Sequence, residues 1–402
     1  MQARLRALWL TCHRWTALTL GWLLIVAGLT GALLVVTRPL DEWIHPEYFV
    51  AQGILAQGIP ARGNPTQEDP AGSRVVQGGL TSGMVAHANA PSVGAGGRIV
   101  SLDTVRQAIQ AEFGTATAMT FRPPREPHET LQVLVRGTWR GTLYLDPSTG
   151  IEQGRRGEDE GFVNTLFRLH SALLMETTGK AILAWAALAY LLLLITGLVL
   201  WWPKHWPPKL RIELRKGLLR GLFDVHRTGG AVLGLVLAVS VATGAFMAWR
   251  PIGGWINALV GSTPVAMPTL RGDPAPSLPL DTLVERAQAV YPDGLVGYVM
   301  LAAQPNRPVR IRMRLADEPH PNGVSTIWMD PRDGTILSAQ RWNELDTAGR
   351  LNAFIYPLHT GELGGVPLQI VTALAGWLLG ILGISGAWLW WRRRPLRRNA
   401  AI

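Results

Sequence analysis

The sequence predicts a membrane α-helical protein with four transmembrane helices, a tandem repeat of two, and two small periplasmic α+β modules. Three observations support this fold class. The chain has long apolar runs without internal charge, clusters of basic residues next to some ends of those runs, and one sequence pattern that occurs twice. With 402 residues, 48% of them hydrophobic, the chain is long enough for more than one domain.

Four apolar runs are candidates for membrane spans, and they lie at about 17–36, 181–202, 231–249 and 368–391. Each run approaches the ~20 residues that a helix needs to cross ~30 Å of hydrocarbon. None of the four contains Asp, Glu, Lys or Arg. The first run ends in "VVTRPLDEW", which has no small-residue cleavage site. We therefore expect an uncleaved anchor rather than a signal peptide.

The net charge of +10 is placed in a way that predicts topology rather than nucleic-acid binding. Basic residues cluster before the first run, between the second and third runs, and after the fourth. Under the positive-inside rule these segments are cytoplasmic, so both termini lie inside and the two long loops lie outside. Tryptophans at the ends of the runs, such as Trp15, Trp202 and Trp391, suit the membrane borders. The single cysteine, Cys12, lies on the inner side, which excludes disulfides in the outer loops and haem attached through C-x-x-C-H.

The two halves of the chain repeat each other. "HRWTALTLGWLLIVAGLTGALLVV" begins at His13, and "HRTGGAVLGLVLAVSVATGAF" begins at His226. In both strings a Thr-Gly step follows the histidine after 17 positions. "LHSALLMETTGK" at Leu169 corresponds to "LHTGELGG" at Leu358, and in both copies a glycine lies 27 positions after the histidine. Each half is therefore predicted to contain a span, an outer module and a second span.

The outer modules repeat as well. "SLDTVRQAIQAEFG" and "PLDTLVERAQAVYP" predict amphipathic helices, and "ETLQVLVRG" and "PVRIRMRLA" predict strands. "LYLDPSTG" and "IWMDPRDG" predict a strand followed by a hairpin turn. The extra length of the first module lies in 51–98, whose Gly, Ala, Pro, Gln and Ser content predicts a flexible insertion.

These patterns predict the domain boundaries. We expect the following order: transmembrane helix 1 at 1–39; periplasmic module 1 at 40–165, with the insertion at 51–98; an interfacial histidine segment and transmembrane helix 2 at 166–202; a cytoplasmic loop at 203–225; transmembrane helix 3 at 226–250; periplasmic module 2 at 251–350; an interfacial histidine segment and transmembrane helix 4 at 351–392; and a cytoplasmic tail at 393–402.

Four of the nine histidines occupy equivalent places in the two halves, and the predicted topology pairs them by side of the membrane. His13 and His226 form an inner pair, and His170 and His359 form an outer pair. Neutral imidazole is a ligand of iron, zinc, copper and nickel. A structural zinc site needs four ligands, whereas haem iron needs only two axial ligands from the protein, and the glycine-rich spans would let a macrocycle approach closely. Arg14 and Arg227 are candidates for contacts with inner haem propionates, and Arg168 and Lys180 for outer ones. The alternative is that each histidine lies in the headgroup layer without a ligand.

The quoted motifs resemble the PepSY-associated transmembrane family over nearly the whole chain except 51–98. The resemblance implies a bacterial inner-membrane protein linked to iron uptake, similar to ferric-siderophore reductases with two haems b per chain. It implies that His13 and His226 bind an inner haem and that His170 and His359 bind an outer haem. The expected acceptor is a ferric siderophore or another ferric chelate in the periplasm, and the expected donor is a quinol or a cytoplasmic reductase. No G-x-G-x-x-G loop in a strand–helix context is present, which favours a separate donor.

Two other functions are compatible with the sequence. One is a non-catalytic PepSY membrane protein with a binding or regulatory role, in which the histidines are inert. The other is a component of an iron or chelate transporter, which is disfavoured because four spans are few and contain no charged residue. A coloured preparation with two low-spin haems would distinguish the reductase from both. The sequence does not locate the acceptor site.

Overall fold

A computed structural model gives the structure of residues 2–52, 99–203, 212–259, 261, 267–270, 276–304 and 307–392. The chain forms two compact units. The helical unit comprises 1–38, 162–263 and 354–402, and the sheet unit comprises 39–161 and 264–353. Most of the predicted insertion (53–98), part of the predicted cytoplasmic loop (204–211) and the predicted tail (393–402) lie outside the described residues.

The elements follow one another in two similar series. The first series is α1 (Gln2–Ile44), α2 (Leu102–Phe113), β1 (Ala118–Arg122), β2 (Leu131–Arg136), β3 (Arg140–Leu145), β4 (Glu152–Gly157), α3 (Gly161–Ala172) and α4 (Glu176–Trp201). The second series is α5 (Leu218–Val232), α6 (Gly234–Ala248), α7 (Arg250–Leu259), α8 (Leu280–Val290), β5 (Leu295–Leu301), β6 (Val309–Arg314), β7 (Ser325–Met329), β8 (Ile336–Gln340), α9 (Thr347–Thr360) and α10 (Gly365–Arg392). Short 3₁₀ turns lie between some of these elements.

Three helical segments of the described chain are long and apolar enough to cross a membrane: Arg4–Ile44, Glu176–Trp201 and Glu362–Arg392. The third apolar run differs from the single helix predicted at 226–250. It forms α5 and α6, which are bent by 65° at a break, and only the two together could make a fourth span. Leu233 lies at the break, between Gly230 and Gly234, and glycines lower the free-energy cost of bending a helix.

The other predicted helix boundaries also shift. Helix α1 continues to Ile44 rather than ending at 39. The segment predicted at 166–202 contains two helices, with left-handed backbone at Leu173 and Leu174 between them. Helix α9 begins at Thr347, before the predicted 351. Each histidine of the predicted outer pair therefore lies on a helix of its own, separate from the long apolar helix that follows it.

The core of the helical unit is apolar and closely packed. Leu24, Tyr190, Leu237 and Leu379 belong to one buried cluster. Helices α1 and α10 approach so closely that a Cβ added at Gly28 would lie 2.8 Å from the carbonyl oxygen of Gly376. Small residues at such crossings let two helix backbones pack closely in a membrane, where dispersion rather than water expulsion holds helices together.

The two predicted modules form one antiparallel sheet rather than separate sheets. Its strand order is β4-β3-β2-β1-β5-β6-β7-β8, so the halves meet at β1 and β5. The strands β2 and β6 and the turns of the two Asp-Pro-x-x-Gly motifs are where the sequence predicts them, with Gly150 and Gly334 in left-handed conformation. The sequence did not predict the pairing of β1 with β5. The repeat indicates which strands each module contains, but not which edge strands of the two modules meet.

Helices α2 and α8 cover one face of the sheet and cap each other. The backbone N–H groups of Leu102 and Asp103 donate to the Asp281 carboxylate, at 2.9 and 3.2 Å, and the backbone N–H of Leu280 donates to Asp103 at 3.1 Å. A carboxylate at a helix N-terminus satisfies N–H groups that have no partner within the helix. The repeated Leu-Asp-Thr motif thus joins the two halves into one core, which includes Ile109 and Leu283.

A buried ion pair joins the end of α1 to β4. The guanidinium of Arg156 donates to both carboxylate oxygens of Asp41, at 2.7 and 2.8 Å, and both side chains are buried. A bidentate pair of this kind fixes orientation as well as distance.

Candidate functional site

The four repeated histidines come together as two pairs in the helical unit. The ring centroids of His13 on α1 and His226 on α5 are 6.3 Å apart, with the ring planes at 89°. Those of His170 on α3 and His359 on α9 are 6.1 Å apart, with the planes at 41°. The partners are those that the sequence predicts. Each pair takes one histidine from each half of the chain.

The ring of His170 lies against the Thr30-Gly31 step of α1. Its Nδ1 is 3.1 Å from the hydroxyl oxygen of Thr30 and 3.0 Å from the carbonyl oxygen of Ala27. A Cβ added at Gly31 would lie 2.8 Å from Cε1 of the ring. The glycine therefore provides the space for the imidazole, and the threonine holds its Nδ1.

The same arrangement holds His359 against the Thr243-Gly244 step of α6. Its Nδ1 is 3.1 Å from the hydroxyl of Thr243 and 2.9 Å from the carbonyl oxygen of Ser240. A Cβ at Gly244 would again lie 2.8 Å from the ring Cε1. The Thr-Gly step that each half places 17 positions after its first histidine thus positions the second histidine of that half.

His13 and His226 lie against equivalent steps in the other long helices. The Nδ1 of His13 is 2.9 Å from the hydroxyl of Thr196, which precedes Gly197 on α4. The Nδ1 of His226 is 3.1 Å from the carbonyl oxygen of Leu382 and 3.4 Å from the hydroxyl of Ser385, which precedes Gly386 on α10. A Cβ at Gly197 or Gly386 would lie 3.3 or 3.2 Å from the facing Cε1.

The hydrogen bonds around these rings assign the tautomer. Each hydroxyl donates its own proton to a backbone carbonyl one turn earlier in its helix: Thr30 to Val26 at 2.6 Å, Thr196 to Leu193 at 3.0 Å, Thr243 to Val239 at 2.7 Å and Ser385 to Leu382 at 3.2 Å. The hydroxyl can then only accept from the imidazole, so Nδ1 carries the proton. This leaves the lone pair on Nε2, as in most metal-bound histidines, whose other ring nitrogen donates to an oxygen.

The spacing of each pair suits a metal atom between two imidazoles. A metal–nitrogen bond of about 2.0 Å and about 1.1 Å from nitrogen to ring centroid give about 6.2 Å between the centroids of opposed ligands. A direct N–H···N hydrogen bond of about 2.9 Å would instead give about 5.1 Å. The observed 6.3 and 6.1 Å match the first arrangement.

The donor set distinguishes between kinds of metal site. In the described part of the chain, no group of three or more His, Cys, Asp or Glu side chains could hold a metal ion. A tetrahedral zinc site needs more protein ligands than two histidines supply, whereas a porphyrin provides four of the ligands of its iron. Two histidines with free Nε2 atoms at this spacing therefore fit haem.

The basic residues predicted near the pairs differ in their surroundings. Arg14 is partly buried, and its Nε has no hydrogen-bond partner among the described residues. Arg227 is exposed. On the other side, Arg168 lies 3.3 Å from the carboxylate of Glu176, and Lys180 is partly exposed. An unmatched buried donor makes Arg14 the better candidate for an anionic group such as a propionate.

Sequence reasoning missed Thr196 and Ser385 as partners of the histidines. The signal was present, because a hydroxyl residue precedes Gly197 and Gly386 as Thr30 precedes Gly31. The backbone carbonyls of Ala27, Ser240 and Leu382 could not be identified from residue type, since every residue carries one.

Comparison with known proteins places the chain in a family. A family model described as the PepSY-associated TM region matches residues 10–393. No curated protein matches the chain significantly. The match includes the four histidines, their Thr/Ser-Gly steps and the whole sheet unit. The protein, a membrane protein with several apolar helices, belongs to the PepSY-associated transmembrane family.

Proposed function

We propose that the protein is a di-haem b-type reductase of the bacterial inner membrane. It carries electrons across the membrane to a ferric siderophore or another ferric chelate in the periplasm, in iron acquisition. The observation that carries this proposal is one arrangement that occurs four times. In each, a Thr/Ser-Gly step of a neighbouring helix holds an imidazole at Nδ1, and a second imidazole lies 6.1 or 6.3 Å away.

In this proposal His13 and His226 hold the inner haem, and His170 and His359 hold the outer haem. Each haem would accept and donate one electron. The chain's own residues orient the ligands, because hydroxyl and carbonyl acceptors keep the proton on Nδ1 and leave the lone pair on Nε2. Arg14 would neutralise an inner propionate, and Arg227 is a weaker, exposed candidate for the same role.

The length of α1 supports a site near each face of the membrane. His13 and Thr30, which contacts His170, are 17 residues apart on one continuous helix, or about 26 Å. This is close to the ~30 Å thickness of the hydrocarbon. The proposal includes four membrane crossings, with α5 and α6 together forming the third, and both termini in the cytoplasm.

The chemistry requires one electron for each ferric ion. A quinol or a cytoplasmic reductase supplies the electron, and the chelated Fe(III) becomes Fe(II), which hard oxygen ligands hold less tightly. Both histidines of each pair would be used to hold a haem, so the chelate would bind to other residues of the protein.

The visible absorption spectrum of the detergent-purified protein tests this proposal. We expect two low-spin haems per chain. His13→Ala and His226→Ala should remove one of them, and His170→Ala and His359→Ala should remove the other. His128→Ala is the matched control, because His128 is exposed and belongs to neither pair.

A colourless preparation from haem-replete cells would contradict the proposal. It would favour a binding or regulatory membrane protein, or a transporter component. Loss of both haems from all four variants, with normal yield and melting temperature, would contradict the assignment of ligands to two separate sites.

A further inference from the structure

The face of the sheet opposite α2 and α8 carries a cluster of arginines and aromatic rings. Side chains alternate along a strand, so Phe121, Val299 and Ile311 enter the core while their neighbours face the other way. These neighbours are Arg122 on β1, Tyr298 on β5, Arg310 and Arg312 on β6, and Trp328 on β7. Arg125 follows β1. We call these six residues the arginine face.

Strand register brings the members of the arginine face together. Arg312 is opposite Tyr298, and Arg310 is opposite Trp328. The guanidinium carbon of Arg310 is 5.2 Å from the Trp328 ring centroid, and that of Arg312 is 5.6 Å from the Tyr298 centroid. A guanidinium over an aromatic face is held flat by the ring quadrupole, with its edge left for hydrogen bonds.

Among the residues that the structure describes, the hydrogen-bond acceptors of the Arg125, Arg310 and Arg312 guanidiniums are neutral oxygens rather than carboxylates. Arg312 donates to the carbonyl oxygen of Gly323, Arg125 donates to the Asn322 side chain at 2.6 Å, and Arg310 is 3.5 Å from the Thr326 hydroxyl. The Nε atoms of Arg310 and Arg312 are buried without a hydrogen-bond partner among the described residues. Buried donors normally have partners, and a buried charge normally has a counter-charge.

The electrostatics of the cluster are correspondingly unfavourable without an anion. Burial lowers the pKa of Arg310, and burial with repulsion from Arg310 lowers that of Arg312. Burial and the nearby Arg122 lower the pKa of Arg125, and the carboxylate of Glu129, which accepts from the Arg125 backbone N–H, acts in the opposite direction. The carboxylate of Glu318, close to Arg312, is already occupied by the backbone N–H groups of Leu315, Val324 and Ser325. The protein thus keeps the positive charges of Arg125, Arg310 and Arg312 close together and partly shielded from solvent.

We propose that the arginine face binds an anionic ferric chelate whose iron is held by carboxylate or catecholate oxygens. Arg122, Arg125, Arg310 and Arg312 would face the negative oxygens, and the rings of Tyr298 and Trp328 would hold the guanidiniums of Arg312 and Arg310 in place. A neutral or cationic hydroxamate chelate would not neutralise the clustered arginines. The arginine face should therefore bind anionic carboxylate or catecholate chelates more tightly than hydroxamate chelates. This inference rests on the proposed function and names the substrate class of its acceptor site.

Binding of gallium(III) citrate to the full-length purified protein tests the inference. Gallium(III) has the charge and nearly the size of iron(III) but is not reduced, so binding is measured without electron transfer. We expect isothermal titration calorimetry to show saturable binding. Arg310→Gln and Arg312→Gln should each weaken it by about tenfold or more, since a hydrogen bond to a charged group contributes about 1.5–3 kcal/mol.

Two controls make the experiment specific. Arg286→Gln removes the same charge from α8, an exposed position on the other side of the sheet, and should leave binding unchanged. The gallium(III) complex of a linear trihydroxamate with a free ammonium group should bind at least tenfold more weakly than the citrate complex. Metal-free citrate should compete poorly.

Four results would overturn the inference. They are no binding by wild-type protein that melts normally, wild-type affinity in either Arg→Gln variant, binding of the cationic complex as tight as that of gallium(III) citrate, and binding of metal-free citrate as tight as that of its gallium(III) complex. Haem content, read from the absorption spectrum of the same samples, reports separately on the proposed function. A protein that contains haem but does not bind gallium(III) citrate would contradict this inference alone. A protein that binds gallium(III) citrate but contains no haem would contradict the proposed electron transfer alone.

Discussion

Adding a methyl group at Gly31 or Gly244 should displace one histidine of the His170–His359 pair while leaving every candidate ligand in place. The added Cβ would lie 2.8 Å from the facing Cε1 in both positions. Carbon atoms in van der Waals contact are about 3.5–4.0 Å apart, so the ring must move by about 0.7–1.2 Å. Changes to the residues that orient a metal-bound histidine lower metal affinity by about 10–100-fold. We expect Gly31→Ala and Gly244→Ala each to lower the affinity for the outer haem by about 10–100-fold.

The other two glycines provide a graded comparison. A Cβ at Gly197 or Gly386 would lie 3.3 or 3.2 Å from the facing ring, so a shift of a few tenths of an ångström relieves the contact. We expect the alanine variants at these positions to keep the inner haem with at most a changed potential. Gly21→Ala is the neutral control, because nothing lies within 4 Å of its added Cβ.

The assay is haem content per chain, combined with a reductive titration that resolves the two haems. Gly28→Ala serves as a packing control. Its Cβ would meet the carbonyl oxygen of Gly376 at 2.8 Å and disturb the α1–α10 contact rather than one ring. If Gly31→Ala and Gly244→Ala keep two haems with wild-type potentials, the glycines do not position the ligands and the reasoning is refuted.

Three further changes test the packing and charge of the two units. Tyr190→Phe should raise the melting temperature, because the hydroxyl is buried without a partner among the described residues and such a group costs about 1–3 kcal/mol; a clear decrease would show that the hydroxyl has an unrecognised partner. Arg156→Ala should destabilise the sheet unit by about 3–5 kcal/mol by leaving Asp41 buried and unpaired, whereas Arg140→Ala, which removes an exposed ion pair, should cost at most about 1 kcal/mol; equal melting temperatures would contradict this. His320→Asn should flatten the acid dependence of stability. Burial and two neighbouring arginines lower the pKa of His320 to about 4, so the unfolded chain binds a proton first and the wild type loses stability as the pH falls from about 6.5 to about 4. An unchanged pH profile in the variant would exclude this histidine as the cause.

Much of the architecture follows from periodicity and repetition in the sequence. The long apolar runs, the helices α2 and α8, the strands β2 and β6 and the two Asp-Pro-x-x-Gly turns have local signals in the sequence, since hydrophobic period and turn chemistry act over a few residues. The pairing of the histidines could also be inferred, because a repeat preserves position and the charge pattern assigns each position to a side.

The remaining features depend on contacts between distant residues. The pairing of β1 with β5 joins strands far apart in sequence, and no local pattern determines which edges meet. The break at Leu233 lies in a glycine-rich run whose hydropathy is the same whether the helix is straight or bent. The sequence did not predict the arginine face, because Arg310 and Arg312 alternate with core residues in "VRIRMR" as the solvent-facing residues of any strand would. They are distinguished by the register, which places them over Tyr298 and Trp328, and by hydrogen bonds that, within the described residues, go to neutral oxygens.

Electron paramagnetic resonance of the oxidised, natively produced protein tests the ligation of haem by the two histidine pairs most directly. Imidazole ligation from both sides makes ferric haem low-spin, and the shape of the signal depends on the angle between the two rings. The angles of 89° and 41° predict two low-spin signals of equal intensity, a strongly anisotropic one from His13 and His226 and a more rhombic one from His170 and His359. A high-spin signal, or no ferric signal from a haem-replete preparation, would contradict ligation by these pairs.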